Sequence, residues 1–213
     1  MDQTIDKKRL TFTDQVRKLF KGILDPVGNF LNRLGLMPNT ITILGLAGNV
    51  VGAIFLAQGK MTIGGIIVLA MAPVDALDGT MARLRGMPSD FGAFVDSVTD
   101  RYSELIIFGG LLYYYLVEGD ILTAMAVFAA AAGSVLVSYI RARAASVGMD
   151  TKIGILSRME RYIVLVPALI LNFAWIGVWI IAILANFTAL QRIFDVRRQA
   201  HAAGKILLPE KRA

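Results

Sequence analysis

The sequence predicts an all-α membrane protein with six transmembrane helices and an N-terminal amphipathic interfacial helix. Three observations carry that prediction. Of 213 residues, 56% are hydrophobic and 18% charged, and the mean hydropathy is +0.62, far from an ordinary soluble chain. The apolar residues collect in six runs, each close to the roughly 20 residues a helix needs to cross a bilayer core. These runs are much longer than barrel strands and lack two-residue alternation, so helices are the spanning element.

The first element lies in residues 7–34. Lys7, Lys8, Arg9, Arg17, Lys18 and Lys21 alternate with Leu10, Phe12, Val16, Leu19, Phe20, Ile23 and Leu24. That spacing describes an amphipathic helix lying on the membrane surface. The interrupted apolar run, with no small-residue cleavage site after it, argues against a signal peptide.

The six spans are expected at 39–57, 63–86, 92–117, 121–146, 157–174 and 176–196. Pro38 precedes the first, Gln58, Gly59 and Lys60 form a turn after it, and Glu118, Gly119 and Asp120 separate the third from the fourth. Gly48 and Gly52 in the first span are expected to serve helix packing. Three regions result: a cytoplasmic segment over 1–38, a transmembrane catalytic domain over 39–196 and a basic tail over 197–213. All of the 22 lysines and arginines except Lys60 fall on one side or in the span halves nearest it. The positive-inside bias makes that side cytoplasmic, with both termini there. This placement also gives the net charge of +6 a membrane explanation, with no nucleic-acid partner required. Tyr113, Tyr114, Tyr115, Trp175 and Trp179 read as an aromatic belt at the outer ends of the spans.

Charges inside a span are costly and mark function. Asp75 and Asp78 lie in the second span, Asp96 and Asp100 in the third. Separations of three and four residues place each pair on one helix face. Gathered in a low dielectric, four carboxylates repel or take up protons unless a cation joins them. The chain has no cysteine and only one histidine, His201, so oxygen ligation of Mg²⁺, Mn²⁺ or Ca²⁺ is the expectation. Two metals sharing carboxylates suit chemistry at phosphorus. The alternatives are a structural network with Arg83 and Arg101, or a membrane metal-ion transporter, although neither internal repeats nor broken helices are visible.

Asp75, Asp78, Gly79, Ala82 and Arg83, followed after eight residues by Gly92, Asp96 and Asp100, match D-x-x-D-G-x-x-A-R and G-x-x-x-D-x-x-x-D at every fixed position. The sequence thereby resembles the CDP-alcohol phosphatidyltransferases. The resemblance implies metal-dependent transfer of a phosphatidyl group from CDP-diacylglycerol to an alcohol, with release of CMP, by a homodimer. It implies metal ligation by Asp75, Asp78 and Asp96, with Asp100 as general base and contributor to the metal site. It also implies a cytidine-phosphate pocket lined by Gly79, Ala82 and Arg83, and Mg²⁺ or Mn²⁺ as cofactor, two ions in all. Asn39 and Thr42 either touch the nucleotide or, for Asn39, cap the first span.

Arg141, Arg143, Arg158, Arg161 and Arg192 lie at the cytoplasmic ends of later spans. Converging guanidinium groups suit a phosphate on the acceptor, whereas snorkelling explains any one of them alone. The stretch from Ser138 to Ala144, with Gly148, Arg158, Glu160 and Arg161, is similar to the prokaryotic phosphatidylinositol-phosphate synthase branch. Arg141 stands where that branch often has lysine, and Ala145 where it often has glutamate. The acceptor expected is inositol 1-phosphate, with glycerol 3-phosphate as the alternative.

Overall fold

The structure, a computed structural model, describes residues 12–86 and 89–204. Among the described residues there are seven helices: α1 Phe12–Arg33, α2 Pro38–Ala57, α3 Met61–Leu84, α4 Asp90–Val117, α5 Ile121–Ser146, α6 Arg158–Ile170 and α7 Ala174–Ala202. Four of them, α2, α3, α5 and α7, are long and apolar enough to cross a membrane, which makes this an all-helical membrane protein. α4 has the length, at 28 residues, but its first half is interrupted by acids and Arg101.

Two helix ends depart from expectation. α6 is 13 residues long, or about 20 Å, and stops at Ile170 because Asn172 turns left-handed with φ 60°. There the amide of Phe173 donates to Ala168 O at 2.7 Å and that of Asn172 to Leu169 O at 3.0 Å, so orphaned carbonyls are satisfied by a Schellman turn. α7 instead continues past residue 196, through arginines, a glutamine and alanines that favour helix. The part of the expected tail up to Ala202, including His201, is therefore helical; residues 205–213 lie outside the described residues. So do Lys7, Lys8, Arg9 and Leu10 of the amphipathic segment, which from Phe12 onward is helical as expected.

Contacts divide the chain into two compact units, one comprising Met1–Gly45 with Ala70–Thr99 and the other Leu46–Leu69 with Asp100–Ala213. In the first, Leu24, Ile41, Leu77 and Met81 form a small core. A β-carbon added to Gly28 would lie 3.2 Å from Leu84 Cδ1 and 3.3 Å from Thr80 Cγ2, so glycine permits α1 to approach α3 closely. The helix ends are tied by Arg85, whose Nε donates to Asn32 Oδ1 at 2.7 Å and whose Nη2 donates to Leu36 O at 2.5 Å.

The second unit holds the larger core, built from Leu56, Ile107, Leu111, Leu169, Val178 and Ile181 among others. α7 packs against both α5 and α6. Gly52 packs as expected: a β-carbon there would sit 3.2 Å from Val68 Cγ2. The aromatic residues are more divided than a belt requires. Tyr113 and Trp175 are exposed, whereas Tyr115 is buried and Tyr114 and Trp179 pack on the core. The α4–α5 turn is secured by Asp120, whose carboxylate accepts from the amide of Thr123 at 2.9 Å as the N-cap of α5.

Candidate active site

In the first unit, Pro38 occupies the opening position of α2, where its missing N–H costs nothing. Asn39 therefore lies inside the first turn of the helix and does not cap it. Thr42, one turn further on, is buried and donates from Oγ1 to Asp78 Oδ2 at 2.5 Å. The other oxygen of Asp78 accepts from the amide of Gly79. Two donors thus orient a carboxylate that is only 6% exposed, and Asp75 and Asp96 lie within its electrostatic reach. Three of the four expected acids are in this way drawn to one locality from α3 and α4.

Asp75 is accommodated by Gly45. A β-carbon at that position would lie 2.8 Å from Asp75 Oδ1, closer than real side chains come, so this glycine is a cradle for the carboxylate. Gly79 and Ala82 are half-buried on the same helix, and Arg83 is exposed with Nη2 donating to Thr80 Oγ1 at 2.9 Å. Among the described residues no three acidic or histidine side chains are already closed to metal-ligand distance. The donor set, all carboxylate and buried or half-buried, nonetheless suits a hard divalent cation, with Asp78 oriented as supported metal ligands are.

In the second unit, Asp100 is buried near the middle of α4 and receives Nη1 of Arg158 at Oδ2. The Arg158 guanidinium carbon lies 5.5 Å from the centre of the Tyr162 ring, a cation–π arrangement that steadies it. One turn along both helices, Arg161 donates from Nε to Glu104 Oε1 at 2.6 Å and from Nη2 to Oε2 at 3.0 Å. Arg101 flanks the same carboxylate at 3.6 Å. Arg101 thus faces an acid that the sequence reading did not single out.

The five arginines expected at the acceptor phosphate separate into two kinds. Arg141 and Arg143 are exposed and Arg158 is half-exposed. Arg161 and Arg192 are buried, at 1% and 4%, with donors committed to the protein. Arg192 donates to Ile153 O at 2.9 Å and to Val137 O at 2.6 Å, pinning the α5–α6 connection. That connection is held again where the amide of Leu156 donates to Thr188 Oγ1 at 3.1 Å. Glu104 could have been found by the same signal as the aspartates, an acid in an apolar run. Gly45 carried none, since glycines recur throughout these helices.

The family model for CDP-alcohol phosphatidyltransferase matches residues 35–190. The chain belongs to the CDP-alcohol phosphatidyltransferases. It is an enzyme of that class, which removes the transporter alternative. This phosphatidyltransferase is 37% identical to a phosphatidylinositol phosphate synthase of Streptomyces avermitilis, over 88% of this chain and 83% of the relative. It is 36% identical to an archaetidylinositol phosphate synthase of Pyrococcus horikoshii, over 87% and 96%. Its structure resembles that of the Mycobacterium tuberculosis phosphatidylinositol phosphate synthase with CDP-DAG bound, at a TM-score of 0.78 and 32% identity, covering 82% of this chain and 93% of that one. The same mycobacterial enzyme in complex with manganese and citrate matches at a TM-score of 0.79 and 32% identity, over 82% and 88%.

Proposed function

We propose that this enzyme transfers the phosphatidyl group of CDP-diacylglycerol to a hydroxyl of inositol 1-phosphate, releasing CMP and forming phosphatidylinositol phosphate. The observation that carries the reading is the buried Asp78 carboxylate, oriented by Thr42 and the amide of Gly79 with Asp75 and Asp96 in its electrostatic reach. The relatives add to it: two names with different lipids, phosphatidyl and archaetidyl, share inositol phosphate.

In the reaction, the acceptor oxygen forms a bond to the phosphorus bearing the diacylglycerol, and the bond from that phosphorus to the CMP oxygen breaks. Asp100 takes the acceptor's proton as the new bond forms. Asp75, Asp78 and Asp96 would hold two divalent ions, Mg²⁺ or Mn²⁺, which would supply charge neutralisation of the diphosphate and of the departing CMP. Thr42 orients Asp78. Asn39, Thr42, Gly79, Ala82 and Arg83 form the donor nucleotide pocket, with Arg83 near the phosphates. Arg141, Arg143 and Arg158 receive the acceptor phosphate, and the buried Arg161 and Arg192 shape the wall behind them.

The same proposal takes α4 and α6 as the remaining two of six spans in the 39–196 domain. It is supported by exposed apolar side chains such as Leu105 and Leu116 on α4 and Ile163 on α6, which suit lipid. Both termini and the active site face the cytoplasm, α1 lies on that leaflet, the 197–213 segment follows there, and the enzyme works as a homodimer. The test offers purified enzyme CDP-diacylglycerol with inositol 1-phosphate, free inositol or glycerol 3-phosphate in separate reactions and measures CMP. Release is expected with inositol 1-phosphate, abolished by chelation and restored by Mn²⁺ or Mg²⁺. Preference for glycerol 3-phosphate or free inositol overturns the acceptor assignment.

A further inference from the structure

Between α4 and α6 stand two ion pairs one helical turn apart. Asp100 pairs with Arg158, and Glu104 pairs with Arg161. The separations, four residues on α4 and three on α6, place each set on one side of its helix. The two pairs differ in burial. Side-chain exposure is 27% for Arg158 but 2% for Arg161, against 11% for Asp100 and 6% for Glu104. The Arg161 pair is bidentate, and its Nη1 also donates to Leu156 O at 3.3 Å, so the guanidinium is fixed to α4 and to the segment leading into α6. Arg158 donates to Asp100 through Nη1, and part of its guanidinium group remains accessible.

We propose that Glu104 is a positioning residue for the acceptor. Its fixed pair with Arg161 sets the register of α6 on α4, so that Arg158, one turn earlier, is held where an incoming phosphate meets it. A bidentate arginine–carboxylate pair restricts both translation and rotation, which a single hydrogen bond does not. Without Glu104, Arg161 keeps a buried charge with no carboxylate opposite it, and the start of α6 shifts to relieve that charge. The phosphate-binding geometry of Arg158 is then lost, although Glu104 touches neither substrate. This inference rests on the proposed role of Arg158 and extends it to an acid outside the family's aspartate motif.

The test measures kcat and the KM values for inositol 1-phosphate and CDP-diacylglycerol in Glu104→Gln, Glu104→Asp and Arg158→Gln, with thermal unfolding in detergent alongside. Glu104→Gln is expected to raise the acceptor KM at least tenfold while the donor KM stays within twofold. Glu104→Asp, which keeps the charge on a shorter stem, is expected to recover most of that loss and remain severalfold above wild type. Equal changes in both KM values, or an unchanged acceptor KM, overturn the positioning role. If Glu104→Gln does not fold, Glu104→Asp carries the test, and an acceptor KM equal to wild type overturns the proposal. Arg158→Gln separates the two layers: an unchanged acceptor KM there removes the underlying role of Arg158, whereas a raised one with normal Glu104 variants removes only the role of Glu104.

Discussion

Replacing Arg161 with methionine tests whether this arginine supports the fold or meets a ligand. Arg161 is 1% exposed and Glu104 5%, and two hydrogen bonds of 2.6 and 3.0 Å join them. The substitution removes those bonds and leaves the Glu104 carboxylate buried, with Arg101 at 3.6 Å as an imperfect partner. Breaking a buried pair from one side costs about 3–5 kcal/mol, roughly a hundredfold to a few thousandfold in the folding equilibrium. Replacing both residues, Arg161→Met with Glu104→Leu, removes the stranded charge and is expected to restore most of the stability, since apolar substitutes for buried pairs are often neutral. Denaturant unfolding of the detergent-solubilised protein, run as a double-mutant cycle, gives each term. A single Arg161→Met variant within about 1 kcal/mol of wild type, or a double variant no better than the single, refutes the assignment of this pair to the buried framework.

Asp100→Asn is expected to lower kcat by about 10²–10⁴-fold, the usual contribution of a positioned base, with folding retained in thermal unfolding; near-normal turnover excludes it as the base. Gly45→Ala places a β-carbon 2.8 Å from Asp75 Oδ1 and is expected to raise the Mn²⁺ concentration needed for half-maximal CMP release tenfold or more, as misplacing a ligand's support does; an unchanged metal titration shows that Gly45 does not set the position of a metal-binding carboxylate. The hydrogen bond from Thr123 holds the Asp120 carboxyl below its ordinary range, so its capping contribution is full above the unfolded-state pKa and fades as pH falls through the lower folded-state value. The stability difference between wild type and Asp120→Asn should accordingly shrink only on the acid side; a difference that grows towards low pH contradicts the capping role.

The helices of this enzyme were legible because a bilayer imposes length and composition directly on sequence. α2, α4 and α5 begin and end within a residue or two of where turns and apolar runs placed them. α6 ended early because Asn172 adopts a left-handed conformation that only the local Schellman turn reveals, and α7 ran on because its polar end still favours helix. Acids in apolar runs were equally legible, and the spacing of Asp75, Asp78, Asp96 and Asp100 carried the family.

What each arginine does was not legible. Arg158 and Arg161 are three residues apart with the same chemistry, yet one is half-exposed on Asp100 and the other sealed against Glu104. Sequence determined on its own that the chain forms long apolar helices and that carboxylates at fixed spacings interrupt its apolar runs, since both follow from one-dimensional composition and periodicity. Tertiary structure alone decided which charges are sealed against a partner and which stay partly exposed, because burial and pairing depend on residues distant in the chain that folding brings together.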